Sequence, residues 1–174
     1  MSHNFGRTLT TLVWSISMLL FTQLTCAAGS NSKQPISIYA DQLSIDDTTG
    51  VSHYQGHVEL QQGDLKFSGD ELDLTQKDGA VTLMKAMGKP AHFERSEPEP
   101  LKAEAHQIDY DNNKGIVILH GNAQLWQNGD LFSSELIHYY TESRRVKAQG
   151  APNSNSQNGR VHVIIRPKGD NKGE

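Results

Sequence analysis

The chain has 174 residues, 36% hydrophobic and 7% aromatic, which suits one domain better than two once terminal segments are set aside. With 16 Lys and Arg against 20 Asp and Glu, the formal charge is −4. A mildly acidic chain with no run of basic residues is a poor candidate for nucleic-acid binding, whose affinity rests on neutralised phosphates.

The N-terminal stretch, residues 1–28, reads as a secretory signal peptide. Arg7 supplies the basic end, an apolar run follows from Leu9 to Leu24, and Cys26, Ala27, Ala28 and Gly29 are the small residues of a cleavage site near Ala28. Thr11, Ser15, Ser17, Thr22 and Gln23 interrupt the run, which argues against a retained anchor. Gln23, Leu24 and Thr25 make a poor lipoprotein box before Cys26, the single cysteine. Cleavage there leaves an exported chain without thiols, so disulfides, zinc-thiolate sites and cysteine nucleophiles fall away together.

From Gln34 onward apolar residues alternate with polar ones: Ile36 and Ile38, Leu43 and Ile45, Val58 and Leu60, Leu65 and Phe67, Leu72 and Leu74. A period of two predicts strands with one face buried. Breakers fall at "DDTTG" (46–50), "QQGD" (61–64), "QKDG" (76–79) and "GKP" (88–90), so an antiparallel all-β protein is expected. One constant offset maps the first half onto the second: Ala40 on Ala105, Asp46 on Asp111, Gly50 on Gly115, Gly56 on Gly121, Leu60 on Leu125 and Phe67 on Phe132. Two repeats are therefore expected, about 36–93 and 101–165, joined by the charged, proline-bearing "ERSEPEP" (94–100) in one domain spanning 34–167. The strand "GRVHVIIRP" (159–167) ends the fold, and residues 168–174 read as a disordered tail.

Chemistry is sparse. His53, His57, His92, His106, His120, His138 and His162 show no helix-spaced pair and no recurrent carboxylate partner in sequence, so no metal site is expected. No Gly-x-Ser-x-Gly, Walker loop or dinucleotide fingerprint occurs, so neither an enzyme nor a cofactor is expected. The apolar face can itself be the working surface. A β structure left open along one side presents a trough that holds acyl chains, at roughly 0.8 kcal/mol per buried methylene. For any single inward residue, ordinary core remains the competing reading.

Several stretches together, "QPISIYADQLSID", "YQGHVELQQGDLKFSGDELDL", "GKPAHF", "AHQIDYD", "LHGNAQLWQNGDLFSSELIHY" and "GRVHVIIRP", resemble the OstA-like family of periplasmic lipopolysaccharide-transport proteins. The resemblance implies a twisted, half-open antiparallel β-jellyroll of two stacked repeats, with protomers joined head to tail by strand addition. It implies a periplasmic bridge that receives lipopolysaccharide from LptC at the inner-membrane export complex and passes it to the N-terminal domain of LptD at the outer membrane. The lipid A acyl chains would travel inside, driven by ATP hydrolysis elsewhere. Residues that match the family's ligand-lining positions are Ile36, Ile38, Phe93 and Tyr110, and Gly88, Lys89 and Pro90 match its Gly-Lys-Pro turn. Strand parity adds Val58, Leu60, Phe67, Leu72, Leu74, Leu119, Leu125, Phe132, Ile137 and Tyr139 as lipid-binding candidates. Ile36 and Ile38 at one end, and Val161, Val163 and Ile165 at the other, are the expected protomer edges. A β-stack that assembles without lipid cargo is the alternative.

Overall fold

A computed structural model describes residues 34–97, 99–151 and 159–167; the expected signal peptide and the expected C-terminal tail lie outside the described residues. Among the described residues ten strands follow one another: β1 (Ile36–Tyr39), β2 (Gln42–Asp46), β3 (Val51–Gln62), β4 (Leu65–Lys77), β5 (Ala80–Arg95), β6 (Leu101–Asp111), β7 (Ile116–Gln127), β8 (Asp130–Tyr140), β9 (Arg145–Gln149) and β10 (His162–Ile164). Each long strand pairs with the next in an antiparallel meander from β3 to β8. Both β1 and β2 pair with β3 on one outer edge, and both β9 and β10 pair with β8 on the other. The sheet therefore never closes, and each edge is built from two short strands.

Local chemistry sets the turns. Asp78–Gly79 and Asn128–Gly129 carry positive φ at both positions, the mirror-image turn that matches the twist of flanking strands. Asp46 Oδ1 accepts the backbone N–H groups of Thr48 and Thr49, at 2.9 and 3.3 Å, and closes the β2–β3 turn. Asp111 Oδ1, at the equivalent point of the second half, does the same for Asn113 and Lys114 at 3.1 and 3.0 Å.

A line of bulges crosses the sheet. Pairing slips between Gln55 and Val58, Ser68 and Glu71, Met87 and Ala91, Glu104 and Gln107, and His120 and Ala123. Bulges bend a strand and increase its twist, and five in register fold the whole sheet. Leaf I takes β1, β10 and the segments around Phe67 and Phe93; leaf II takes β2, β9 and the segments around Leu72 and Tyr110. The rings of Phe67 and Phe93 in leaf I lie 6.3 and 6.1 Å from Tyr110 of leaf II, so the leaves face each other across one interior. At the crease the inward residues are small: Ala91, Ala105 and Ala123 are buried, and a Cβ on Gly69 would stand 2.5 Å from the Met87 carbonyl oxygen. Large side chains there would hold the leaves apart.

The repeated glycines sit on this crease. Gly56 and His57 have φ of 82° and 45°, and Gly121 and Asn122 have 76° and 48°. The contact made at each is also repeated in kind: His57 bonds Asp41 at 2.9 Å, and at the equivalent positions of the second half Asn122 bonds His106 at 3.2 Å.

The "GKP" stretch differs from expectation. Gly88, Lys89 and Pro90 do not end a strand; they lie inside β5 at the bulge line, with a cis Lys89–Pro90 bond. The slip between Met87 and Ala91 leaves these residues out of the ladder, so proline's missing N–H breaks no pairing.

Candidate functional site: an apolar interior open at two edges

The register lines inward residues into continuous rows. In leaf I one row runs Ile38, Leu60, Phe67, Phe93, Ala103, Leu125, Phe132 and Val163. In leaf II a second runs Leu43, Tyr54, Leu72, Ala86, Ile108, Leu119, Ile137 and Ala148. A third runs Ile45, Ser52, Leu74, Met84, Tyr110, Val117, Tyr139 and Val146. Each row starts at one sheet edge and ends at the other.

Burial falls steeply along the rows. Val58, Leu60, Phe67, Leu72, Leu74, Phe93, Leu119, Leu125, Ile137 and Tyr139 are at most 2% exposed, so in this conformation they are the packed centre. Ile36, Ile38, Tyr110 and Phe132 are partly buried against that centre. At the ends Leu43 and Ile45 are 55% and 57% exposed, and Val161, Val163 and Ile165 are 43%, 41% and 72% exposed. Of these last three only Val163 lies within β10, which spans His162–Ile164. Row ends absent from the sequence-predicted site are Leu43, Ile45, Val146 and Ala148. Alternation in "QLSID" and "RVKAQ" is their signal, weak because each stretch is only 5 residues long.

A few polar groups reach the interior. Gln127 donates to the Tyr139 hydroxyl at 3.1 Å, and the Arg95 guanidinium stands 6.0 Å over the Tyr139 ring. Burial pushes the Tyr110 phenol above its ordinary pKa, so it stays neutral and donates to Asn112 at 3.3 Å.

The histidines behave differently from the sequence expectation, because carboxylate partners lie across strands. His53 meets Asp73, His57 meets Asp41, His92 meets Glu104 and His120 meets Asp109, between 2.5 and 3.4 Å. The hydrogen bond to Asp41, then the Asp41 charge, raises the His57 pKa. A raised pKa means the pair supports the fold fully below the ordinary histidine value and loses that support as pH rises through the folded value. An NMR titration of the His57 ring is expected to give a midpoint above the ordinary value, and Asp41→Asn to return it there. An unchanged midpoint in the variant would remove Asp41 as the cause.

The comparisons with known proteins agree with this geometry. The family model described as "LptA/(LptD N-terminal domain) LPS transport protein" matches residues 37–145. The lipopolysaccharide export system protein LptH of Pseudomonas aeruginosa is 33% identical over 164 residues, covering 90% of this chain and 93% of that protein. LptA of Escherichia coli K12 is 30% identical over 141 residues, covering 79% and 76%. The crystal structure of LptH, the periplasmic component of a lipopolysaccharide transport device, superposes with a TM-score of 0.71 at 31% identity, covering 80% of this chain and 100% of that one. The open antiparallel sheet with its leaves folded on each other is thus the LptH architecture, and the chain belongs to the LptA/(LptD N-terminal domain) family of lipopolysaccharide-transport proteins.

Proposed function

We propose that this chain is a periplasmic lipopolysaccharide carrier in a bridge between the two membranes, with lipid A acyl chains held between its leaves. The observation that carries the reading is the three inward rows that run from one unpaired edge to the other and are apolar at every position but Ser52. An acyl chain enters where the first row ends, at Ile38 and Val163, and advances by parting leaves that otherwise pack on each other. Each methylene taken from water contributes about 0.8 kcal/mol, so apolar burial alone can hold cargo. No bond is made or broken on the protein, and the energy for directed flow comes from elsewhere.

LptC delivers the lipid and the N-terminal domain of LptD receives it. Copies of the chain join head to tail, with β9 and β10 of one beside β1 and β2 of the next. Strand direction suits this. β1 and β2 run antiparallel to β3, and β9 and β10 antiparallel to β8, so the two edges run in opposite senses. Meeting leaf to leaf, they form an antiparallel ladder that caps both exposed edges.

A photo-crosslinking amino acid at Ile36 or Phe93 is expected to capture lipopolysaccharide in cells, and one at Glu59, on the exposed outer face of β3, is not. Equal capture at all three positions would sink the interior path. Assembly without capture at any of them would favour a structural stack.

A further inference from the structure

We propose that a charge key on the outer face of leaf II, Arg145 of one copy against Asp46 of the next, fixes the register and direction of the end-to-end joint. The inference rests on the head-to-tail reading above and adds the residues that decide how the ends mate. The outer row that ends in this pair is continuous: Asp46 stands opposite Val51, Val51 opposite Thr75, Thr75 opposite Leu83, and the row continues through Asp111, Ile116 and Tyr140 to Arg145. Adding a second copy without a register slip extends this row by one strand, about 4.8 Å away, and sets Arg145 directly opposite Asp46. The same addition sets Val163 opposite Ile38, Val146 opposite Ile45 and Ala148 opposite Leu43. One register therefore satisfies all three apolar rows and the charge pair at once.

The electrostatics of the two edges are complementary. β2 is flanked by Asp41 and Asp47 and ends in Asp46, whereas β9 carries Arg145 and Lys147 and follows Arg144. Both partners of the key are exposed, and among the described residues Arg145 forms no ion pair; it stacks on Tyr140, 4.2 Å from the ring centre. The internal repeat shows what Asp46 lacks. Asp111, its counterpart, spends Oδ1 on the turn and binds Lys114 Nζ through Oδ2 at 2.8 Å, but the position equivalent to Lys114 is Thr49. At the sheet's interior the cation comes from the same chain; at the edge Arg145 of the neighbour supplies it. Head-to-head and tail-to-tail meetings bring like charges together, so only the head-to-tail joint is rewarded.

The test is sedimentation of the full mature chain at about 50 mM and about 500 mM salt. Wild type is expected to associate, less at high salt. Arg145→Asp and Asp46→Arg should each weaken association by about tenfold at low salt, because each sets like charges face to face. Asp46→Asn, which keeps the turn's acceptor oxygen, should give a smaller loss in the same direction and guards against a folding defect. An equimolar mixture of the Arg145→Asp and Asp46→Arg chains should recover wild-type association, since every joint in an alternating array is then matched. Single variants that associate like wild type, or a mixture no better than its parts, would overturn the key and leave the end-to-end reading standing. Wild type that stays monomeric at both salts would overturn both.

Discussion

Replacing Phe93 with Ala is expected to cost the lipid-free protein about 3–5 kcal/mol of stability, the range for deleting a large aromatic from a packed core. Phe93 is 0% exposed and stands opposite Phe67 and Ala103 in its row. Its ring centre lies 4.9 Å from Phe67 in the same leaf and 6.1 Å from Tyr110 in the other, so one side chain ties the leaves together. The cavity left by Ala has poor means of collapsing, because the neighbouring Ala91, Ala103 and Ala105 have nothing to extend into it. Urea unfolding followed by fluorescence checks the value, and Phe93→Leu should recover most of it by refilling volume. A loss under about 1 kcal/mol would mean the leaves separate readily without cargo, and the interior would then be a standing trough instead of a core that parts on demand.

That distinction explains which features could be read from the sequence. Alternation in "HVEL" and "LKF" reveals which side chains point inward, because the side-chain period of a strand is two residues. The constant offset between the halves reveals that Gly56 and Gly121 occupy equivalent places. Nothing in that pattern tells that the two glycines lie on one crease, since a bulge is a relation between strands and no strand carries it alone. For the same reason "GKP" reads in the sequence as a turn, although Pro90 sits within a 16-residue strand. The carboxylate partners of His53 and His120 are 20 and 11 residues away and become neighbours only through register. Parity likewise cannot rank Leu60, sealed at 2% exposure, against Leu43 at 55%, because distance from the sheet edge decides and edges are set by topology.

Replacing Val163 with Pro is expected to weaken end-to-end association by tenfold or more while leaving the protomer folded. The direction of one N–H carries the argument. The two-residue turn at Asn128–Gly129 makes Gln127 and Asp130 a hydrogen-bonded pair, so the backbone groups of Leu131 and Ser133 point away from β7 and towards β10. Their partners are Ile164 and His162, which leaves the N–H of Val163, between them, facing the open edge. The turn between Gln62 and Leu65 gives the mirror result on β1, where Ile38 also presents its backbone to the open side. In the row-continuing register Val163 and Ile38 stand opposite each other, so proline removes a donor that only the neighbouring copy uses. One lost hydrogen bond at the joint corresponds to about 1 kcal/mol, and the ring's crowding of the incoming strand adds to it. Ile164→Pro is the control: its N–H faces β8, so it should loosen β10 within the protomer. Sedimentation and hydrogen exchange separate the two. Val163→Pro that associates like wild type, with β10 still protected, would rule out strand addition at this edge.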